Sequence, residues 1–176
     1  MKLVLKLVAG LVVLVVVLVG VGFLLPAEFR VERSVLIEAP PERVYALIAS
    51  PRAWARWSAW NRRDPAMQMT YSGPESGMGA RWSWQSVTEG NGEMEFVAAV
   101  PSERVDYALR FPDFGMESSG SLRIEPEASA VRVSWSNEGS MGANPINRWF
   151  GLFMDRLVGP DFEAGLANLK AEAEAG

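Results

Sequence analysis

The last long segment of the chain, residues 144–175, has the apolar pattern of a helix with one buried face. Apolar residues recur there at the three- and four-residue spacing of an α-helix, at Ile146, Trp149, Phe150, Phe153, Met154, Leu157 and Val158. Asn144 can serve as the N-cap, and Pro145 suits the first helical turn. We predict one long helix over residues 145–173, kinked or restarted at Pro160, with this stripe buried in the domain.

The middle of the chain reads mostly as β-strands. A first strand, Phe29–Glu38, precedes two short helices, one opening at Pro40-Pro41 and one over Arg52–Trp60. Further strands are predicted over residues 67–72, 80–86, 93–100, 104–111, 122–124 and 131–135. Apolar residues occupy every second position, as at the inward Met94, Phe96, Ala98 and Val100. This alternation indicates an antiparallel sheet with one buried face.

A sheet with one apolar face needs a cover, and the C-terminal helix is the only large one that the sequence offers. We therefore predict an α+β fold in which a curved antiparallel sheet of about six to seven strands wraps around that helix. Strong curvature would leave a cavity lined by aromatic residues.

The N-terminal segment resembles a membrane anchor. Leu7–Leu25 is a run of nineteen uncharged residues that follows Lys2 and Lys6. As a helix it would span roughly 29 Å, about one hydrocarbon core. We predict a transmembrane anchor over residues 1–26 and one folded domain over residues 27–176. The lysines favour a cytoplasmic N-terminus with the domain on the opposite side of the membrane.

A cleaved signal peptide is the alternative for this segment, with Gly20 and Gly22 as the small residues of a cleavage site. The apolar run is longer than the core of a typical signal peptide, which favours the anchor. The linker Pro26–Glu28 reaches only about 10–14 Å, so the domain would lie against the headgroups. Five arginines between Glu42 and Asp64 flank a tryptophan cluster, and we expect this segment to face the bilayer.

Composition excludes several kinds of site. The chain has no cysteine and no histidine, which removes disulfides, thiolate or imidazole metal ligands and the commonest general base. Without Lys2 and Lys6 the domain has 15 basic and 21 acidic residues, a net charge of −6. Such a domain is a poor nucleic-acid binder. We predict no metal site, no cofactor and no catalytic residue.

Two charged residues leave alternatives open. Asp64 precedes a proline and is interpreted as a turn-former, with a catalytic acid as the alternative. Arg33 interrupts the apolar face of the first strand. It is either a residue at a sheet end or bulge, which we favour, or a polar anchor inside a pocket.

Three stretches carry a resemblance to a known family: SVLIEAPPERVYALIASPRAWARWSAW (34–60), NRRDPAMQMTYSGPESGMGARWSW (61–84) and FMDRLVGPDFEAGLANLK (153–170). The chain resembles the polyketide cyclase/dehydrase-like branch of the SRPBCC proteins, in the Bet v 1/START-related helix-grip superfamily. This resemblance implies a helix-grip fold with a hydrophobic ligand cavity. It implies function only weakly, because the superfamily mixes carriers, cyclases and stress-response binders.

We therefore predict a membrane-anchored binding module for a hydrophobic or amphipathic small molecule, such as a lipid, an isoprenoid or an aromatic metabolite. The ligand-binding residues are predicted to be Trp57, Trp60, Trp82, Trp84, Phe96, Phe111, Trp135, Phe150 and Met154. Two alternatives remain at this point: a cyclase or dehydratase that uses the same cavity, and an adaptor whose own side chains fill it.

Overall fold

The computed structural model describes residues 2–175, which form helices, strands and short turns. The helices are α1 (Lys2–Leu24), α2 (Pro41–Ile48), α3 (Pro51–Trp57), α4 (Ala59–Arg63), α5 (Pro145–Gly151) and α6 (Met154–Glu174). The strands are β1 (Glu28–Ile37), β2 (Gln68–Ser72), β3 (Arg81–Gln85), β4 (Gly92–Val100), β5 (Arg104–Phe111), β6 (Met116–Glu127) and β7 (Ala130–Ser140). The predicted second helix over Arg52–Trp60 is instead two helices, because Ser58 takes an extended conformation (ψ 133°) between them.

The strands form one seven-stranded antiparallel sheet in the order β1-β7-β6-β5-β4-β3-β2. Its inner face and α6 bury a common core, in which Trp135 of β7 stacks on Phe162 of α6. Helices α2 to α4 connect β1, at one edge of the sheet, to β2 at the other. The predicted α+β fold, a curved antiparallel sheet around a C-terminal helix, is confirmed.

A bulge in β4 changes which of its residues face inward. The register of β4 with β5 shifts between Phe96 and Ala98, so that Ala98 pairs with the outward Asp106 and Ala99 pairs with the buried Val105. The prediction that Ala98 and Val100 face the core is therefore wrong beyond Phe96. The extra residue of the bulge reverses the alternation.

The C-terminal helix is interrupted, but not at the predicted proline. Helix α6 runs through Pro160, whereas the chain turns at Leu152 and Phe153 between α5 and α6. Asn144 is the N-cap of α5, as predicted: its Oδ1 accepts a hydrogen bond from the Ile146 N–H at 2.9 Å. The turn separates two helices with different partners, since α5 packs against α1 and α6 packs against the sheet.

The buried face of this region also differs from the predicted stripe. Ile146, Phe150, Phe153 and Leu157 are between 52% and 62% exposed. The core face of α6 lies further along the helix, at Phe162, Leu166, Leu169 and Ala173. Periodicity identified the apolar face of the segment correctly, but the first part of that face lies beside α1, outside the sheet.

Among the described residues, α1 is the one helix long and apolar enough to cross a membrane. Its C-terminal end is tied to α5. Pro145 packs against Gly22, where a side chain would collide with the proline carbonyl. The Trp149 indole N–H donates to the Leu18 carbonyl oxygen at 3.0 Å.

Candidate functional site

A network of aromatic rings occupies the space between the sheet and helices α3 and α6. Its centre is Trp54, whose ring centroid lies 4.7–5.9 Å from those of five others, namely Trp57, Trp82, Phe96, Tyr107 and Trp135. The short helix α3 positions two of these indoles through backbone acceptors in α2. Trp54 donates to the Ile48 carbonyl at 2.7 Å, and Trp57 donates to the Leu47 carbonyl at 3.2 Å. Each of these buried N–H groups therefore has a hydrogen-bond partner.

Trp135 connects the sheet to the C-terminal helix. Its ring stacks on Phe162 with centroids 4.0 Å apart and planes 9° apart. Its Nε1–H donates to the Tyr107 hydroxyl at 2.9 Å. Burial raises the pKa of the Tyr107 phenol well above its usual value, so the hydroxyl is neutral at physiological pH. Gly165 gives the Trp135 ring room, because a Cβ there would lie 2.9 Å from it.

Next to this network lies a cavity of about 180 Å³. Its walls come from α4, from the sheet and from the first turns of α6, where Met154 and Val158 line it. Five methionines contribute to the lining: Met67, Met69, Met94, Met116 and Met154. Unbranched thioether side chains adapt to different shapes. The cavity therefore combines rigid aromatic walls with adjustable ones.

Most of the predicted ligand-binding residues meet in this cavity. Six of them line it, namely Trp60, Trp82, Trp84, Phe111, Trp135 and Met154. Trp57 and Phe96 have no exposed surface and lie behind the lining as packing residues. Phe150 lies on α5, is 60% exposed and does not line the cavity, because α5 docks on α1.

Sequence reasoning missed Trp54, the four lining methionines other than Met154, and the polar residues of the lining. Trp54 shares its helix face with Trp57, and nothing in the sequence separates the one that lines the cavity from the one that packs behind it. The one available signal for Asn137 was its place in β7, where it continues the inward series Val133 and Trp135. A polar residue at such a position indicates a binding role.

Asn137 is a polar group buried in an apolar wall. Its side chain is inside the cavity lining, and the residue is only 6% exposed. Its Nδ2 donates to the Ser118 hydroxyl at 3.3 Å, while its Oδ1 has no hydrogen-bond partner. An unsatisfied buried acceptor is unfavourable. Asn137 is therefore the residue of the lining whose hydrogen-bonding capacity is left open.

The acidic groups of the lining are Glu89 and Glu117. Both oxygens of Glu89 accept from Arg63, at 2.7 and 2.8 Å, and Arg63 also binds Asp161 of α6. These carboxylates raise the Arg63 pKa above its ordinary value, so the guanidinium stays charged. Glu117 is exposed and pairs with Arg110 at 3.3 Å. The charges at the cavity are thus neutralised within the protein.

Arg33 joins β1 to α6. Its Nη1 lies 2.7 Å from Asp155 Oδ1, and its Nε lies 2.6 Å from Glu163 Oε1. Gly159 makes the crossing possible, because any side chain there would collide with the guanidinium. Arg33 lowers the pKa of the Asp155 carboxyl below its usual value. Both sequence interpretations of Arg33 are wrong, because the residue joins β1 to α6 through ion pairs and lies outside the cavity lining.

Asp64 forms a turn, as interpreted from the sequence. Its Oδ1 accepts from the Ala66 N–H at 3.0 Å, and its Oδ2 accepts from the Ser86 hydroxyl at 2.6 Å. The hydrogen bond from Ser86 lowers the pKa of the Asp64 carboxyl most, and the bond from the Ala66 N–H lowers it further. Together they outweigh desolvation, which would raise the pKa. Asp64 lies outside the cavity lining.

Four of the five arginines near the tryptophan cluster have partners within the domain. Arg62 bonds to Asn168, and Arg63 bonds to Glu89 and Asp161. Arg52 lies over the Tyr71 ring at 4.5 Å. Trp54 and Trp57, which the segment was expected to present to lipid, are buried. Within residues 2–175 no group of three acidic residues could hold a metal ion.

The fold and the site together define a helix-grip protein with a mostly apolar cavity. Residues 28–174 match the family model described as polyketide cyclase / dehydrase and lipid transport. The chain belongs to this family, as the resemblance in its sequence predicted. No curated protein matches the sequence.

Solved structures share the fold at low sequence identity. Protein CV1439 from Chromobacterium violaceum is 23% identical, with a TM-score of 0.55 over 84% of this chain and 97% of that one. The Aha1 dimer protein from Colwellia psychrerythraea is 16% identical, with a TM-score of 0.56 over 84% and 97%. The di-domain ARO/CYC protein BexL, from the BE-7585A biosynthetic pathway, is 17% identical, with a TM-score of 0.59 over 85% of this chain and 51% of its own.

Proposed function

We propose that this protein is a membrane-anchored binding module for a small, neutral, apolar molecule that carries a hydroxyl or N–H group. The observation that carries the proposal is the cavity of about 180 Å³ with aromatic and methionine walls and one unpaired buried acceptor, Asn137 Oδ1. The family supports a hydrophobic ligand, since its description includes lipid transport as well as cyclases and dehydrases.

The size of the cavity selects among apolar ligands. A cavity of roughly 150 Å³ is known to hold benzene. The present cavity, at about 180 Å³, is therefore suited to a molecule with one substituted ring. A two-chain lipid would need the walls to move apart. The size thus favours an aromatic metabolite over the lipid and isoprenoid alternatives.

The polar groups select a neutral ligand with a donor. Asn137 Oδ1 can accept a hydrogen bond from a ligand hydroxyl or N–H. None of the described side chains that line the cavity is lysine or arginine, whereas Glu89 and Glu117 are present. A fatty-acid carboxylate would lose its hydration there without meeting an unpaired cation, which is unfavourable. A neutral phenol or alcohol would not incur this cost.

The hydrogen bonding of Glu89 and the exposure of Glu117 favour binding over catalysis. Glu89 is held by Arg63 through both oxygens, and Glu117 is exposed. A cyclase or dehydratase needs a positioned proton donor or acceptor that is free to exchange its proton. No such acid–base pair lies among the described cavity residues.

The anchor is α1, and Lys2 and Lys6 favour a cytoplasmic N-terminus with the domain across the membrane.

The test compares two ligands of equal size, p-cresol and p-xylene, which differ by a hydroxyl in place of a methyl group. The full chain in mild detergent should bind p-cresol more tightly, because only p-cresol can donate to Asn137. One hydrogen bond of about 0.5–1.5 kcal/mol corresponds to roughly 2- to 12-fold in affinity. Isothermal titration calorimetry measures both constants.

The matched variants are Asn137→Leu and Val158→Trp. Asn137→Leu should remove the preference for p-cresol while retaining p-xylene, whereas Val158→Trp should abolish both by filling the cavity. Circular dichroism checks that each variant is folded. Failure of the folded wild type to bind either compound would refute the cavity as a ligand site. An unchanged preference in Asn137→Leu would refute the role of the amide.

A further inference from the structure

The apolar residues exposed outside α1 are concentrated in one segment. Leu36, Met78, Val87, Val97 and Phe114 are separate in sequence. Residues 146–157, by contrast, contain a group that is 51–62% exposed, namely Ile146, Phe150, Leu152, Phe153 and Leu157. We call this group the α5–α6 apolar surface. Soluble surfaces rarely carry so many large apolar side chains together, so a covering partner is indicated.

Hydrogen bonds fix α5 against the end of α1. Arg148 Nη1 donates to the carbonyl oxygens of Phe23 and Leu25, at 3.0 and 3.2 Å. Carbonyls at the end of a helix have no partner within that helix, and Arg148 supplies one. The Trp149 indole reaches Leu18, further down α1. The α5–α6 apolar surface therefore has a defined position relative to α1.

That position sets the depth of α5. Leu18 precedes Leu24, the last residue of α1, by six residues, which corresponds to about 9 Å along the helix axis. If α1 crosses a bilayer with its uncharged run in the hydrocarbon, the indole N–H of Trp149 lies about 9 Å below the end of α1. Interfacial helices sit roughly 5–10 Å into the boundary of headgroups and acyl chains, where tryptophan is enriched.

We infer that the α5–α6 apolar surface is inserted in the lipid leaflet that surrounds the C-terminal end of α1. The inference rests on the anchor in the proposed function. Its occupant is the bilayer itself, because α5 lies beside the membrane-spanning length of α1. The membrane-facing part of the domain is then α5 and the start of α6, in place of the arginine- and tryptophan-rich segment expected from the sequence.

Insertion places the ligand cavity beside the bilayer. Met154 and Val158 line the cavity, while Phe153, directly before α6, and Leu157, in its first turn, belong to the α5–α6 apolar surface. One wall of the cavity is therefore the element that contacts lipid on its other side. An apolar ligand dissolved in the leaflet reaches this wall without crossing water.

The absence of native cysteine makes a direct test possible. Single cysteines are introduced into the full chain at Phe150 and Leu157, labelled with the fluorophore NBD, and reconstituted in phosphatidylcholine vesicles. Vesicles with nitroxide-labelled acyl chains report contact with lipid through quenching. Both labels should be quenched, and more strongly by a nitroxide near the headgroup than by one near the bilayer centre.

Matched labels at Leu36→Cys and Met78→Cys, which are also exposed but lie at the end of the sheet opposite to Glu28 and α1, should escape quenching. A label at Leu14→Cys should be quenched, because it lies within α1. Quenching at Leu14 but not at Phe150 and Leu157 would overturn the inference and leave the anchor intact. No quenching at Leu14 would overturn the anchor as well.

A second copy of the chain is the other possible cover, and the same variants report on it. Oxidation of unlabelled Phe150→Cys would then give a disulfide-linked dimer. Efficient dimer formation without lipid quenching would assign the surface to a second copy and overturn the inference. Quenching without dimer formation supports insertion.

Discussion

Two phenylalanines of the C-terminal region test where the core of the domain begins. Phe162 is 1% exposed and stacks on Trp135, whereas Phe153 is 52% exposed, one residue before α6. Burial of a phenylalanine removes about 150–200 Å² from water, which is worth about 4–5 kcal/mol at roughly 25 cal/mol/Å². Observed costs of Phe→Ala in cores are about 3–5 kcal/mol. We expect that cost for Phe162→Ala.

The assay is thermal unfolding of the full chain in mild detergent, followed by near-ultraviolet circular dichroism. For a domain of this size, each kcal/mol lowers the midpoint by about 2–4 °C, so Phe162→Ala should lower it by roughly 6–20 °C. Phe153→Ala is the matched control. The Phe153→Ala effect should be a small fraction of that shift, since detergent covers the Phe153 side chain in both the folded and the unfolded state. Equal shifts for the two variants would refute the division between a packed and a lipid-facing part.

Two further predictions concern α6. Gly165→Ala should cost about 1–3 kcal/mol, because its Cβ would lie 2.9 Å from the Trp135 ring, and the same melts measure it. Asp155→Asn should lower the midpoint near pH 6, and the difference from wild type should shrink as pH falls below the ordinary aspartate pKa of about 3.9. The pKa of Asp155 is depressed in the folded state, so its ion pair gives stability that is present above the unfolded-state pKa and lost as pH falls through the folded-state pKa. A midpoint difference independent of pH would contradict the second prediction.

The sheet was predictable because its cause is local. Each strand carries its own period-two pattern, and one buried face follows from it without knowledge of the neighbours. The exception, at Ala98, arose from a bulge, which depends on how β4 pairs with β5 and leaves no mark in the alternation itself. Six of nine predicted ligand-binding residues line the cavity: five are aromatic residues on inward positions, and the sixth is Met154 on the apolar face of α6.

The misplaced residues share a different cause. The spacing of Ile146, Phe150 and Phe153 shows that one side of the segment avoids water, but it does not show what covers that side. A sheet, a second helix or lipid would all select the same residues. In the structure, this side lies beside α1 because α1 binds α5 through Trp149. Helix α1 is more than a hundred residues away in sequence, so the local pattern does not reveal the contact.

The two halves of α6 differ in how they are held, and this difference explains where the cavity lies. From Phe162 onward the helix packs on the sheet through Phe162, Leu166 and Leu169, each at most 2% exposed. The first two turns face the cavity through Met154 and Val158, and Asp155 in these turns is held to β1 by its exposed ion pair with Arg33. Exposed ion pairs contribute little to stability compared with buried aromatic packing. The least firmly packed wall of the cavity is therefore the one formed by the first turns of α6, and widening the cavity costs least on that side.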